Sequence, residues 1–147
     1  EVAKLFIAIF ITIIPAIAIL KAGSDGALST VVSLTQNPDG SNNNVMYFWL
    51  TGVLSAFLDN APTYLVFFNT AGGNAYELMT TYSETLLAIS CGAVFMGACT
   101  YIGNAPNFMV KSIVEENGIK MPTFFGFFCY SVLIVFPLFI IISLLFF

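Results

Sequence analysis

Hydrophobic positions along the chain gather into long runs: no charged residue occurs within 5–20, 40–58, 60–76, 85–110 or 121–147. Several of these runs approach the roughly 20 residues with which an α-helix crosses the hydrocarbon core of a bilayer. Polar segments separate them. Pro38-Asp39-Gly40-Ser41-Asn42-Asn43-Asn44 is a dense turn signal, and Lys111, Glu115, Glu116 and Lys120 cluster ahead of the last run. The pattern predicts a helix over 2–22, an outer loop over 23–44, a helical hairpin over 45–72, a helix over 85–112 and a terminal helix over 121–147.

Length and lysine placement decide the topology. The apolar pieces 45–58 and 64–71 are each too short to span, so together they make either one broken span or a re-entrant hairpin. Short cytoplasmic loops collect Lys; residues 22–44 and 72–84 hold none, whereas Lys111 and Lys120 follow the next run. A hairpin puts both Lys-free loops on one outer face. Lys4 and Lys21 flank the first run, which Pro15 should kink. The expected fold is all-α and integral to the membrane, with three transmembrane helices, one of them broken by an unwound loop, plus one re-entrant helical hairpin. Thr70-Ala71-Gly72-Gly73-Asn74 is read as the turn leaving that hairpin, since it lacks the Lys and preceding strand of a phosphate loop.

Composition sharpens this picture. Of 147 residues 59% are hydrophobic and 8% charged, against the roughly 25% charged of soluble domains, so the lipid bilayer is the expected partner. A net charge of −4 with no Arg and no His leaves nothing to neutralise phosphates, and nucleic-acid binding is set aside. Cys91, Cys99 and Cys129 show no metal-ligand spacing and read as small packing residues. With no His and only Asp59 buried among carboxylates, acid–base catalysis has no machinery; no enzyme activity and no cofactor are expected beyond Na⁺ or H⁺ as coupling ions. Glu77 and Glu84 are expected to be solvated. Tyr47, Phe48 and Trp49 suit an aromatic belt at the interface, Phe124 to Phe128 and Phe146-Phe147 a lipid-facing or packing surface. Gly92 and Gly97, with Ala93 and Ala98, offer a small-residue face for close helix packing.

The chemistry concentrates where Asn-Ala-Pro occurs twice, as Asn60-Ala61-Pro62 and Asn104-Ala105-Pro106. Proline and clustered Asn remove helix hydrogen bonds at a depth where water cannot replace them, and such breaks survive where they line a cavity. Carriers place their sites at paired breaks of this kind. Asp59 is the only charge between 45 and 71, and burying it mid-membrane costs about 3 kcal/mol or more. Its carboxylate can bind Na⁺ or take up a proton, and competition between the two couples them. Asn60 and Thr63 add oxygen ligands, while Pro62 suits the first turn of a restarting helix. In the second break Thr100, Asn104 and Asn107 supply oxygens, Gly103 an unusual backbone angle, Asn104 a helix cap and Pro106 the restart. Having no carboxylate, it suits a neutral Na⁺ site. The expected cation and substrate site is Asp59, Asn60, Thr63, Thr100, Gly103, Asn104 and Asn107, with Asn60, Thr63 and Asn104 as Na⁺ ligands.

On these residues the chain resembles the ion transporter superfamily, in particular its citrate-transporter-like and sodium/proton antiporter members. Ser55-Ala56-Phe57-Leu58-Asp59-Asn60-Ala61-Pro62-Thr63 is similar to that family's hairpin tip, and Thr100-Tyr101-Ile102-Gly103-Asn104-Ala105-Pro106-Asn107 to its unwound helix. The resemblance implies two inverted repeats that share one site, of which this chain would be the C-terminal one, with an N-terminal repeat missing. It also implies a homodimer; the expected location is the inner (cell) membrane of a bacterium. Asp59 argues for the antiporter branch, so the expected function is Na⁺/H⁺ antiport by alternating access, with cation-coupled citrate or carboxylate transport as the alternative. A channel would need a continuous polar lining, which two isolated polar points do not make. A non-transporting membrane subunit is the remaining, weaker reading.

Overall fold

The computed structural model describes residues 29–147 together with Ile7, Ile11, Ile14, Pro15, Ala18, Ile19, Ala22, Asp25 and Gly26. The span expected over 2–22, with its kink, and part of the following loop lie, apart from those scattered positions, outside the described residues. Among the described residues every regular element is helical, and one isolated bridge, Gln36 with Asn42, closes a turn.

The expected outer loop contains a short helix, α1 (Ser29–Leu34), before the turn at Gly40, whose φ of 83° only glycine adopts freely. Asn43 then caps α2 (Asn44–Leu58) by accepting from the Met46 N–H at 3.0 Å. A single residue, Asp59, separates α2 from α3 (Asn60–Thr70). The two helices fold back on each other. Tyr47 lies near the start of α2 and Phe67 near the end of α3, yet their rings meet edge to face at 6.3 Å. A straight continuation would part them by about 30 Å. After α3, Gly72 (φ 105°) and Gly73 (φ 69°) make the predicted turn, and Asn74 caps α4 (Ala75–Thr80) where the sequence suggested only loop.

Next comes α5 (Ser83–Cys91), which widens without interruption into a π-helical turn (Gly92–Met96). The chain unwinds over 98–104 and restarts as α6 (Ala105–Glu116). The terminal helix α7 (Phe124–Phe146) has 23 residues, about 34 Å, and is the one described helix long and apolar enough to cross a membrane. Its exposed side carries Leu133, Leu144 and Leu145, each more than 70% accessible, a surface that lipid rather than water should cover.

What positions everything else is the packing of α2 against α5 and its π turn. The buried stripe of α2 is Tyr47, Phe48, Thr51, Gly52, Ser55 and Ala56, a four-residue repeat that faces Ala88, Ile89, Gly92, Ala93 and Met96. A Cβ on Gly92 would collide with the Phe48 carbonyl, and one on Gly52 with the Met96 thioether. Small residues bring the two backbones together, as read for Gly92 and Gly97; Ala98, by contrast, points outward. Tyr47 and Phe48 are core residues, 1% and 0% exposed, rather than members of an interfacial belt, because their side of α2 is the side that α5 covers. Phe48 also holds α7 and the residue after it, with Phe139 and Phe147 at 6.3 and 5.3 Å, and Trp49 Nε1 donates to Ser143 Oγ at 3.1 Å. At the open end of the hairpin Asn42 donates to Thr85 Oγ1 (3.2 Å), which donates to Asn44 Oδ1 (2.7 Å). Of the cysteines, Cys99 is buried, Cys91 half-buried and Cys129 exposed.

Gly92→Leu should therefore force α2 and α5 apart. Overpacking of this kind costs about 1–3 kcal/mol or more, read as a lower midpoint of thermal unfolding for the detergent-purified protein; an unchanged midpoint would contradict the close approach.

Candidate functional site

Both Asn-Ala-Pro segments begin helices, and the α2–α5 packing delivers them to the same place. At the hairpin tip Asp59 has φ 97° and ψ 148°, the only positive φ of a non-glycine residue among those described. Such a backbone costs about 1–3 kcal/mol and persists only where its surroundings impose it. Here they do. The Asp59 N–H reaches Ser55 O, its Oδ1 accepts from the Asn60 N–H at 2.6 Å, and Thr63 Oγ1 donates to its carbonyl at 2.7 Å. Pro62 and Thr63 are buried in the first turn of α3, while Asp59 and Asn60 stay partly open. A carboxylate kept where glycine would be unstrained points to function.

The second break is laced to the first through Thr100. Its hydroxyl donates to Ala56 O in α2 at 2.5 Å and accepts from the Gly103 N–H at 2.9 Å. Ser55 Oγ donates to Ala93 O at 2.6 Å, tying the hairpin to the π turn. Gly103 does not have the unusual backbone angle expected of it; its φ is not positive. It is needed for proximity, since a Cβ there would sit 2.7 Å from Gly97 O and Ser55 O and 2.8 Å from Ala56 O. Gly97 is likewise needed for proximity, since a Cβ there would sit 2.9 Å from Gly103 O and Ser55 Oγ, with Asn60 Cβ in ordinary contact at 3.7 Å. Asn107 pins the unwound segment from α6, donating to Ala98 O (3.1 Å) and Thr100 O (3.2 Å).

Asn104 departs from its expected role. It precedes α6 in extended conformation (φ −156°, ψ 117°), yet its side chain caps no helix N–H, and Oδ1 is buried without a hydrogen-bond partner. Pro106 lies in the first turn of α6, exposed. Leaving an amide oxygen buried and unpaired costs about 1–3 kcal/mol, so this atom is poised for a donor or cation. The groups gathered here, Asp59, Asn60, Thr100, Asn104 and the surrounding carbonyls, offer oxygen ligands, the set that hard cations prefer. Thr63 is buried in the first turn of α3 and donates its proton to Asp59 O, which leaves its oxygen lone pairs available as acceptors. Among the described residues no group of three His, Cys, Asp or Glu side chains gathers, so a transition-metal ligand set is not formed.

Two residues in the α2 arm were not assigned roles from sequence: Ser55, and Thr51, whose Oγ1 is also buried and unpaired. Thr51, Ser55, Asp59 and Thr63 recur every four residues, a polar row in an apolar segment that could have been noticed. Behind the tip a cavity of about 180 Å³ lies between α2, the π turn and α7, lined by Val53, Ala56, Phe57, Met96, Cys99 and Phe128 among others. It presents only apolar side chains and gives an ion nothing in return for its hydration.

Over residues 1–147 the chain matches the model of a family described as "Putative citrate transport". No curated protein and no solved structure matches it.

Two variants test this geometry. Thr100→Val should leave Gly103 N–H and Ala56 O without their partner, destabilising by about 1–3 kcal/mol for each orphaned group. Asp59→Gly relieves the positive φ and gives up only the cap on Asn60, so the thermal midpoint should hold or rise. A Thr100→Val protein as stable as wild type, or an Asp59→Gly protein clearly less stable, would contradict the lacing and the strain respectively.

Proposed function

The chain belongs to that citrate-transport family, a family of membrane transporters, and from this premise we propose that it carries the Na⁺-coupled site of a secondary carrier for citrate or a related carboxylate. The observation that carries the reading is the juncture of the two breaks, with the buried, unpaired Asn104 Oδ1 at its edge. Na⁺ bound there completes the amide oxygen and supplies positive charge. The N-termini of α3 and α6 both open at the breaks, and their partial positive charge favours an anion on the accessible side. Cation and carboxylate thus stabilise each other, which is the physical content of symport.

In the membrane, α2 and α3 form a re-entrant hairpin and α5–α6 a broken span, with α7 and the span expected over 2–22 as the other crossings. The antiparallel contact of Tyr47 with Phe67 supports the hairpin. Meeting of the 42–44 segment with Thr85 supports loops 23–44 and 72–84 sharing one face. By the resemblance to two-repeat carriers, the site is completed by an N-terminal repeat, the protein is a dimer and the membrane is the bacterial inner one. Alternating access then moves the hairpin and broken helix against a scaffold.

Asp59 favours a second reading, Na⁺/H⁺ antiport, in which its carboxylate exchanges the two ions. Against it, Oδ1 is already engaged with the Asn60 N–H and serves the turn itself. The full-length protein in proteoliposomes separates the two. Symport predicts uptake of labelled citrate driven by an inward Na⁺ gradient; proton movement driven by Na⁺ without any carboxylate, and lost in Asp59→Asn, would replace it with antiport.

A further inference from the structure

A polycarboxylate entering a bilayer needs more counter-charge than bound Na⁺ and helix ends supply, and the described residues hold two lysines, Lys111 and Lys120. Lys120 is exposed in the connection before α7. Lys111 is set against the break. It lies one turn beyond Asn107 on the same side of α6, the side that is half-buried while Phe108, Met109 and Val110 are exposed. Its ammonium stands 5.5 Å from the centroid of the Tyr101 ring, a residue of the unwound segment itself. Tyr101 is firmly held: it is 4% exposed, its ring stacks on Phe127 at 4.3 Å, and its hydroxyl donates to Pro122 O at 3.2 Å. The ring holds the ammonium beside the unwound segment through a cation–π contact.

That ammonium already holds one carboxylate, Glu115 Oε2 at 2.6 Å, a turn further along α6 and 40% exposed. We propose that Lys111 is a substrate-recognition residue, taking a carboxylate of the transported anion in place of Glu115, which occupies it when the site is empty. The inference rests on the carboxylate-carrier reading above. An exposed ion pair is worth little, so exchanging Glu115 for a substrate carboxylate that also meets Na⁺ and the helix ends is favourable. Glu115 then acts as a weak internal competitor for the ammonium.

The test uses the full-length protein in proteoliposomes and Na⁺-driven uptake of labelled citrate. Lys111→Gln should raise KM for citrate by roughly tenfold or more, with kcat and the Na⁺ concentration for half-maximal rate little changed. Lys111→Arg should restore KM, and Glu115→Gln should lower it below wild type. An unchanged KM in Lys111→Gln, or a loss of kcat and thermal stability alone, makes the lysine merely structural and overturns the proposal. Should Lys111→Gln not fold, Glu115→Gln decides, an unchanged or raised KM overturning it. Wild-type protein that moves no carboxylate at all would instead sink the carrier reading, and this inference with it.

Discussion

The Thr100 hydroxyl is the point on which the two breaks depend. Where a helix ends at membrane depth, its last carbonyls and the next helix's first N–H groups have no water to turn to. In this chain the accounts are settled between the breaks. Ala56 O would bond the Asn60 N–H in a continuous helix, but that N–H turns to Asp59 Oδ1, and Thr100 supplies the replacement donor. The same hydroxyl accepts from the Gly103 N–H. One side chain thereby closes the C-terminus of α2 and shapes the unwound segment, so neither break is stable in its present form without the other.

Such lacing requires backbones in contact, and glycine provides it. Gly52, Gly92, Gly97 and Gly103 line the path along which α2 meets α5 and the unwound segment, with no room for a Cβ at any of them. The π turn at Gly92–Met96 lies on this same path, where an irregular helix is tolerated because Ser55 bonds Ala93 O. Once packing and satisfaction are complete, what remains unspent is chemical: the outer carboxylate oxygen of Asp59, the amide of Asn60 and the orphaned oxygen of Asn104. A strained aspartate and an unpaired amide oxygen flank one juncture, and in the proposed carrier Na⁺ binding would offset their cost.

Much of this was legible beforehand because Pro, Gly and Asn punctuate an apolar chain so sharply. Asn60-Ala61-Pro62 and Asn104-Ala105-Pro106 located both helix restarts, the runs located α2, α3, α5, α6 and α7, and Gly72-Gly73 located the turn after α3. Short helices within polar segments, α1 and α4, escaped because a few residues of tertiary context outweigh weak propensity. Roles that depend on a partner across space are not legible in the sequence either. Gly103 makes room for three carbonyls instead of supplying a special angle, Asn104 leaves its oxygen unpaired instead of capping α6, and Tyr47 and Phe48 are buried instead of interfacial. Periodicity tells which residues share a face, not which face finds a neighbour.

In the proposed carrier the tip and the break act as one cation site. A double-mutant cycle of Na⁺ affinity on the full-length protein tests it most directly, comparing Asn60→Ala, Asn104→Ala and the double variant. A single shared site predicts that each substitution weakens Na⁺ binding and that the double variant is little worse than the poorer single one, a coupling of about 0.5–3 kcal/mol. Losses that simply add, or an Asn104→Ala protein that binds Na⁺ as wild type does, would mean that the two breaks are neighbours in the fold but not partners in binding.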